Sequence, residues 1–367
     1  MLKAYKYRIY PNKEQKIQIA KTFGCCRFVY NQILAYHKDA YENEKKSVSK
    51  TDCNNYCNRE LKKEYEWLKD VDKFALTNAI YNMDAAYRKF FKEHAGYPKF
   101  KSKRDNHKSY TTNYTNENIV VDFEKGRVKL PKLKMVKAKQ PRKFEGQIKS
   151  ATITQMPSGK YFVSILVEEE QVELPKVEKS VGIDLGIKDL VITSDGEKID
   201  NLKLIKKYEN KLVRQQRKLA HKQKGSKNRE KQRIKVAKIY EKIANTRNDY
   251  LHKISHKLIN ENQVIVSEDL SVSNMVKNSN LAKPISDCGW SEWTRQLQYK
   301  ADWYGRTYIK IGRFVPSSQI CHVCGYKNEE TKDLSVRKWT CPQCRTEHDR
   351  DINAAINILN EGLKQIA

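Results

Sequence analysis

Residues 179–199 read KSVGIDLGIKDLVITSDGEKI, and this stretch decides the fold. Val181 and Ile183 before the turn, and Leu190, Val191 and Ile192 after it, form two short apolar runs. Runs of that length bounded by glycine predict a pair of strands. Asp184 sits inside the first run. A carboxylate in the middle of an apolar strand is expensive unless it is paired or holds a metal ion. Two other acids repeat the placement. Glu268 stands at the C-terminal end of QVIVSEDL, which reads as a buried strand, and Asp351 opens the amphipathic helix DINAAINILNEGL. The three lie 84 and 83 residues apart, so only a fold can unite them. Each has a plain explanation alone: Asp349 or Asp351 as a helix N-cap, Glu268 as a surface acid at a strand end. Together, on a very basic chain, they suggest a divalent-metal site for phosphodiester hydrolysis. Mg2+ takes oxygen ligands and few protein groups, and two such ions would activate water and stabilise the leaving oxygen.

Cys321-x-x-Cys324 and Cys341-x-x-Cys344 precede Asp351, with 16 residues between the pairs. That is zinc-ribbon spacing, and four thiolates close a tetrahedral Zn2+ site with no position left for chemistry. A metal-free pair of turns is the bland alternative, and His322 and His348 are close enough in sequence to be alternative ligands. The ribbon reads as a clip that presents Asp351. Cys25, Cys26, Cys53, Cys57 and Cys288 have no partner at zinc spacing, and Cys53 and Cys57 fit one helix face.

Lys and Arg total 72 against 44 acidic residues, a net charge of +28, which points to a polyanionic partner, nucleic acid first. A spanning helix needs roughly 18 apolar residues, and the chain has no such run. MLKAYKYRIYPNKEQ lacks an apolar signal core, so a reducing cytoplasm is expected. With 367 residues the chain is long enough for two or three domains. KAYKYRIY alternates as a strand with one wet face. Residues 13 to about 95 read as helices, the amphipathic Lys13–Phe23 continuing after Gly24 in RFVYNQILAYHKDAY, and about 108 to 170 as strands, GRVKLPKL among them. A hairpin is expected at Pro157-Ser158-Gly159. A first strand separated by helices from later strands suggests a small barrel with a helical insertion. Residues 203–258 hold 19 Lys or Arg against four acids and split at Gly225-Ser226 into two helices. Val236, Ile239, Ile243, Tyr250, Ile254 and Leu258 form their apolar stripe, and the basic residues are expected on nucleic acid.

GIDLGIKDLVITSDG, SEDLSVSNM, PISDCGW, PSSQICHVCG, CPQC and HDRDINAAINI follow one another in the order of the TnpB family, which this chain resembles. YRIYPNKEQ, CRFVYNQIL and DKFAL near the N-terminus extend the resemblance over nearly the whole chain. It implies an α+β multidomain protein: a wedge β-barrel at 1–12 and 108–176, a helical recognition insert at 13–107, an RNase H-like RuvC nuclease domain at 177–320 and 345–367, and a zinc ribbon at 321–344. By position, Asp184, Glu268 and Asp351 would be the RuvC triad holding Mg2+. The implied activity is RNA-guided cleavage of double-stranded DNA beside a short motif. One guide RNA from the transposon end would join one protein copy. Contacts to the motif would come from Lys73, Phe74, Thr77, Thr115 and Asn116; Thr77 stands where another member has Gln. Arg345 takes the place of a glycine usual after the second Cys pair, which bears on that knuckle. A nuclease-dead RNA-guided repressor and a strand-joining transposase are the rival functions.

Overall fold

The computed structural model describes residues 1–366 other than 46, 106 and 334, and the chain divides into two compact units, Met1–Glu170 and Gln171–Ala367.

In the first unit, β1 (Leu2–Tyr10) buries Tyr5, Tyr7 and Ile9 and exposes the basic residues between them, as the alternation predicts. Pro11 ends it, and Asn12 begins α1 (Lys13–Glu44) with a capping box completed by Gln15. α1 runs through Gly24 without a break, the pattern continuing after it as expected: nothing lies within 4 Å of the position, so the missing side chain leaves no packing defect. α2 (Lys50–Tyr56), a π-helical turn at Cys57–Leu61 and α3 (Lys62–Glu64) lead to α4 (Lys73–Glu93), capped by Asp72. Val29, Ile33, Leu34, Leu61, Leu76, Ile80 and Met83 close one core, in which Cys53 and Cys57 are buried as apolar side chains.

The strands β2 (Lys108–Asn113), β3 (Val120–Asp122), β4 (Arg127–Leu130), β5 (Lys134–Lys139), β6 (Gln147–Gln155) and β7 (Tyr161–Glu168) join β1 in one sheet, ordered β2-β6-β7-β1-β5-β4-β3. β1 is central: it pairs with β7 from Leu2↔Glu168 to Ile9↔Tyr161, and with β5 through Arg8–Tyr10. GRVKLPKL is a strand and a turn, since β4 stops at Leu130 and Leu133 N donates to Leu130 O. β6 and β7 form the expected hairpin. The order is linear, with no ladder between β2 and β3 among the described residues, so the pairing supplies the strands of a barrel but not its closure.

The second unit holds β8 (Ser180–Asp184), β9 (Asp189–Thr193) and β10 (Lys198–Asp200), then α5 (Leu204–Ala220), α6 (Lys227–Glu261) and β11 (Val264–Glu268). α7 (Val272–Met275), α8 (Ser279–Cys288), α9 (Trp290–Tyr304), β12 (Thr307–Ile311), β13 (Lys338–Thr340), β14 (Glu347–Asp349) and α10 (Arg350–Leu363) follow. The main sheet is ordered β10-β9-β8-β11-β12, with β8, β11 and β12 mutually parallel and β9 antiparallel to β8. Alternation along the central strands sorts their two faces. Val181, Ile183 and Ile265 pack with Leu251, Ile254, Leu258, Trp293 and Leu297 of α6 and α9. Val266 turns the other way, to Ile358 and Leu359 of α10. Gly182 also faces α10, and the approach is so close that a Cβ there would overlap Ala355 O and stand 2.7 Å from Leu359 N. No helix of the described residues is long and apolar enough to cross a membrane.

Candidate active site

β8 and β11 run side by side with Ile183 opposite Ser267, so the next residues, Asp184 and Glu268, end the two strands at the same level. Asp184 is therefore the last residue of its strand and not an interior one. α10 lays Ala355 against Gly182, two residues before Asp184. Asp351, one turn before Ala355, is thereby carried to the carboxyl ends of the strands. Asp184 feels both other acids. Burial first, then the charges of Glu268 and Asp351, push its carboxyl up to about 8. Burial also raises Glu268, while a hydrogen bond from Ser317 Oγ to Glu268 Oε1 (2.8 Å) works the other way. Buried Asp184 and Glu268, both pushed up, with Asp351 close enough to add its charge on Asp184, fit a hard divalent cation, which would offset that charge. The carboxylates do not draw as close as the sulfurs described below: among the described residues, the four cysteines are the group whose ligand atoms all lie within 4.8 Å of one another.

The first turn of α10 is held from several directions. Asp349 is the N-cap, accepting from the N–H groups of Asp351 and Ile352, which leaves the Asp351 side chain free of capping. Burial pushes the Asp349 carboxyl up, but Lys198 (2.6 Å) and the two capping amides outweigh it and hold it low. Asp351 meets Arg337 Nη1 at 3.3 Å. Asn353 Nδ2 and Asn357 Nδ2 donate to Ile320 O, and Asn353 Oδ1 accepts from His322 N. The helix that bears Asp351 is thus bonded directly to the residues flanking Cys321.

Sulfur separations of 3.6 Å for Cys321–Cys344 and Cys324–Cys341 fit the edges of a tetrahedron around one ion with metal–sulfur bonds of about 2.3 Å. This four-cysteine group can bind a structural zinc ion. His348 Nε2 lies 3.1 Å from Cys321 Sγ, where it touches the sulfur from outside the group, and the ring of His322 is engaged by Asn353. The two knuckles are alike. Gly325 N donates to Cys321 O with φ 77°, and Arg345 N donates to Cys341 O with φ 58°. Arg345 therefore keeps the knuckle geometry in a left-handed conformation that favours glycine.

Lys73 and Phe74 open α4, with the Lys73 ammonium over the Phe74 ring at 5.0 Å. Thr77 turns its hydroxyl back to Lys73 O. Thr115 and Asn116 lie in the turn after β2, which Asn118 closes on Thr115. Asn78 Nδ2 donates to Thr111 O and Asn113 Oδ1, so α4 and the end of β2 bring these two sets of candidates into one region. A groove of about 650 Å³ opens beside them, lined by Arg27, Asn78, Asn82, Lys101, Lys103 and Lys108 among others.

Residues 164–279 match a family described as "Probable transposase" (OrfB_IS605) and residues 290–358 one described as "Cas12f1-like, TNB domain". Residues 1–46 match a "Helix-turn-helix domain", although here they form β1 and one unbroken helix. A Streptomyces pristinaespiralis protein named "Putative RNA-guided DNA endonuclease" is 38% identical over 98% of this chain and 89% of its own. The Escherichia coli K12 protein InsQ, which bears the same description, is 32% identical over 98% and 92%. A TnpB-like protein of Acanthamoeba polyphaga mimivirus, L770, is 25% identical over 98% and 73%. The fold is that of the chain in a solved Cas12f1–sgRNA–target DNA complex: TM-score 0.61, 13% identity, 98% of this chain and 99% of the other.

Proposed function

The chain belongs to the TnpB family, and from that premise we propose that it is an RNA-guided endonuclease that cuts double-stranded DNA with one RuvC-type site. The observation that carries the reading is the meeting of Asp184, Glu268 and Asp351 at the carboxyl ends of β8 and β11 and the start of α10. The sheet order, with a second strand antiparallel to its neighbours, is that of an RNase H-like core and supports the assignment.

In this reading the three carboxylates would hold two Mg2+ ions, which when bound would supply a Lewis acid for the scissile phosphate and a water of lowered pKa. Ser317 fixes one oxygen of Glu268. Asp349 takes over the capping of α10, so that Asp351 can face the site. The ribbon at 321–344, loaded with Zn2+, would help set the position of α10 through Asn353, which accepts from His322 N, while Asn357 ties α10 to Ile320 just before it. The remaining domains follow the proposed boundaries: a wedge at 1–12 and 108–176, a recognition insert at 13–107, and the nuclease at 177–320 and 345–367. Lys73, Phe74, Thr77, Thr115 and Asn116 would read the duplex beside the target, while guide pairing reads the sequence, as in other RNA-guided effectors.

The test is purified protein loaded with RNA transcribed from its own flanking locus, given matched and mismatched DNA duplexes in Mg2+. Cleavage of both strands of the matched duplex alone supports the reading. Tight binding without cleavage would make the protein a repressor, and joined strands would make it a transposase.

A further inference from the structure

PISDCGW, residues 284–290, supplies none of the three acids, and its role comes from what it touches. It covers the end of α8, Gly289 and the first residue of α9. Gly289 turns the chain between the two helices with φ 71°, and a Cβ there would come within 3.1 Å of Arg247 Cδ and 3.3 Å of Leu251 Cδ1. Ile285, Cys288 and Trp290 thereby enter the core that also holds Leu185, the residue after Asp184.

The loop 185–188 joins β8 to β9, and its first residue bears on the acid directly. The Leu185 N–H donates to the Asp184 carboxyl and works against the burial that raises it. The next two carbonyls are taken from outside the loop. Cys288 Sγ, itself fully buried, lies 3.9 Å from Gly186 O, and Asn201 Nδ2 donates to Ile187 O at 2.9 Å. Asn201 Nδ2 also donates to Cys288 Sγ (3.3 Å), while Asn201 Oδ1 accepts from Lys203 N (3.0 Å). The amide has one orientation that suits all three partners, because a flip would set its NH2 against the Lys203 N–H and its oxygen against Ile187 O. The loop is also tightly folded, since a Cβ on Gly186 would stand 2.5 Å from Asp189 O.

These anchors matter because the sheet holds Asp184 from one side only. β9 pairs with it through Ile192, but the ladder to β11 ends one residue earlier, at Ile183↔Ser267. Asp184 is buried and feels the charges of Glu268 and Asp351, which favour its moving away from them. The backbone just past it therefore depends on Cys288 and Asn201. Asp287, the neighbour of Cys288, is engaged elsewhere. Its Oδ2 accepts from Ile205 N (2.9 Å) and caps α5, whose own N-cap residue makes no side-chain bond.

We propose that Asn201 and Cys288 are positioning residues for Asp184: they hold the loop 185–188 so that Asp184 stays with Glu268 and Asp351 and can share a divalent cation with them. The proposal rests on the function given above. The test compares full-length Asn201→Ala, Cys288→Ala and Asp287→Asn with wild type. Asn201 is only half-buried, so its replacement keeps the test open even where the Cys288 change loosens the core. In guide-free protein, amide exchange over 184–190 and the rise in Tm on adding Mg2+ report the loop and the cation without catalysis. In guide-loaded protein, single-turnover cleavage of matched DNA is followed across a Mg2+ series. For one lost hydrogen bond, Asn201→Ala and Cys288→Ala should each exchange about fivefold faster over 184–190 and raise both Mg2+ midpoints about threefold or more. Matched-DNA binding should stay within about twofold of wild type. Asp287→Asn keeps an acceptor for Ile205 N and should leave both midpoints within about twofold. Exchange and Mg2+ midpoints like wild type in Asn201→Ala and Cys288→Ala, whatever their Tm, would mean that the two residues only pack. An equal shift in Asp287→Asn would mean that the whole corner acts as a structural unit. Either result overturns the proposal. If guide-loaded wild type cuts no DNA, the functional reading fails, while exchange over 184–190 and the Mg2+-dependent Tm still decide the proposal.

Discussion

Gly182→Ala probes how the fold delivers Asp351. The added methyl would point from β8 into α10, overlap Ala355 O and stand 2.7 Å from both Leu359 N and Leu359 Cβ. Ordinary contact begins near 3.4 Å, and the obstructing atoms include helix backbone that cannot rotate away. α10 must therefore retreat by about 1 Å or more, and its first turn, with Asp351, moves with it. A displacement of about 1 Å at a reacting centre costs on the order of a hundredfold in rate. Overpacking of this kind costs about 1–3 kcal/mol of stability, a fall of several degrees in Tm. Single-turnover cleavage by the guide-loaded variant should drop about a hundredfold, with matched-DNA binding within about twofold of wild type. Gly362→Ala is the companion. Its methyl meets Val266 Cγ1 and Cγ2, side-chain atoms, so the double variant Gly362→Ala/Val266→Ala should recover much of what the single one loses. Cleavage by Gly182→Ala within about threefold of wild type, with unchanged Tm, would refute the idea that α10's seat on β8 places Asp351.

Arg345→Gly should remove left-handed strain worth about 1–2 kcal/mol, part of which glycine's extra freedom in the unfolded chain offsets. Chelator competition should then show zinc held about fivefold more tightly, and weaker retention would contradict the strain argument. Cys324→Ser should abolish stoichiometric zinc by metal analysis and lower cleavage far more than guide-RNA binding, because the knuckle around Cys321 holds α10 through Asn353 and Asn357. Active protein without zinc would sink that link. Lys300 is buried between α6 and α9, donating to His252 O and Ser255 Oγ, and burial pulls it from 10.5 down to about 8. Between those two values the unfolded chain keeps a proton the folded chain has lost, so stability rises with pH by up to about 1.4 kcal/mol per unit. Below the lower value both states are charged and the contribution is flat. The Tm difference between wild type and Lys300→Met should climb from about pH 8 to pH 10, and a flat difference would mean that Lys300 is not desolvated.

Local pattern reveals what depends on local contacts. The alternation of Tyr5, Tyr7 and Ile9 marks β1, and the stripe from Val236 to Leu258 marks the buried side of α6. The partners of β1 are not legible in the sequence, because β5 and β7 lie more than 120 residues away and any alternating strand could fill their place. Gly24 does not break α1, because a helical glycine costs only about 1 kcal/mol, which the packing of so long a helix outweighs. The three acids stand out as carboxylates in or beside apolar runs on a very basic chain, which suggests one metal site, but the fold that would unite them is implied only by the family resemblance. Ser317, Arg337, Asn353 and Asn357 carry no such mark. Polar residues at a loop or on a helix face look solvent-facing until the opposite surface is known, and no spacing rule distinguishes them. Gly182 reads as part of a strand, yet its importance lies in α10, the last helix of the chain, which packs on it.

The most direct test of the account is strand-resolved cleavage by the guide-loaded Asp184→Ala protein in Mg2+. A single carboxylate site predicts that neither strand is cut, while guide RNA and matched DNA bind as in wild type. Glu268→Gln and Asp351→Asn should behave alike, and a double variant should be little worse than either, since the acids act as a unit. Cleavage of one strand at a rate near wild type would place a second active site elsewhere and contradict the account.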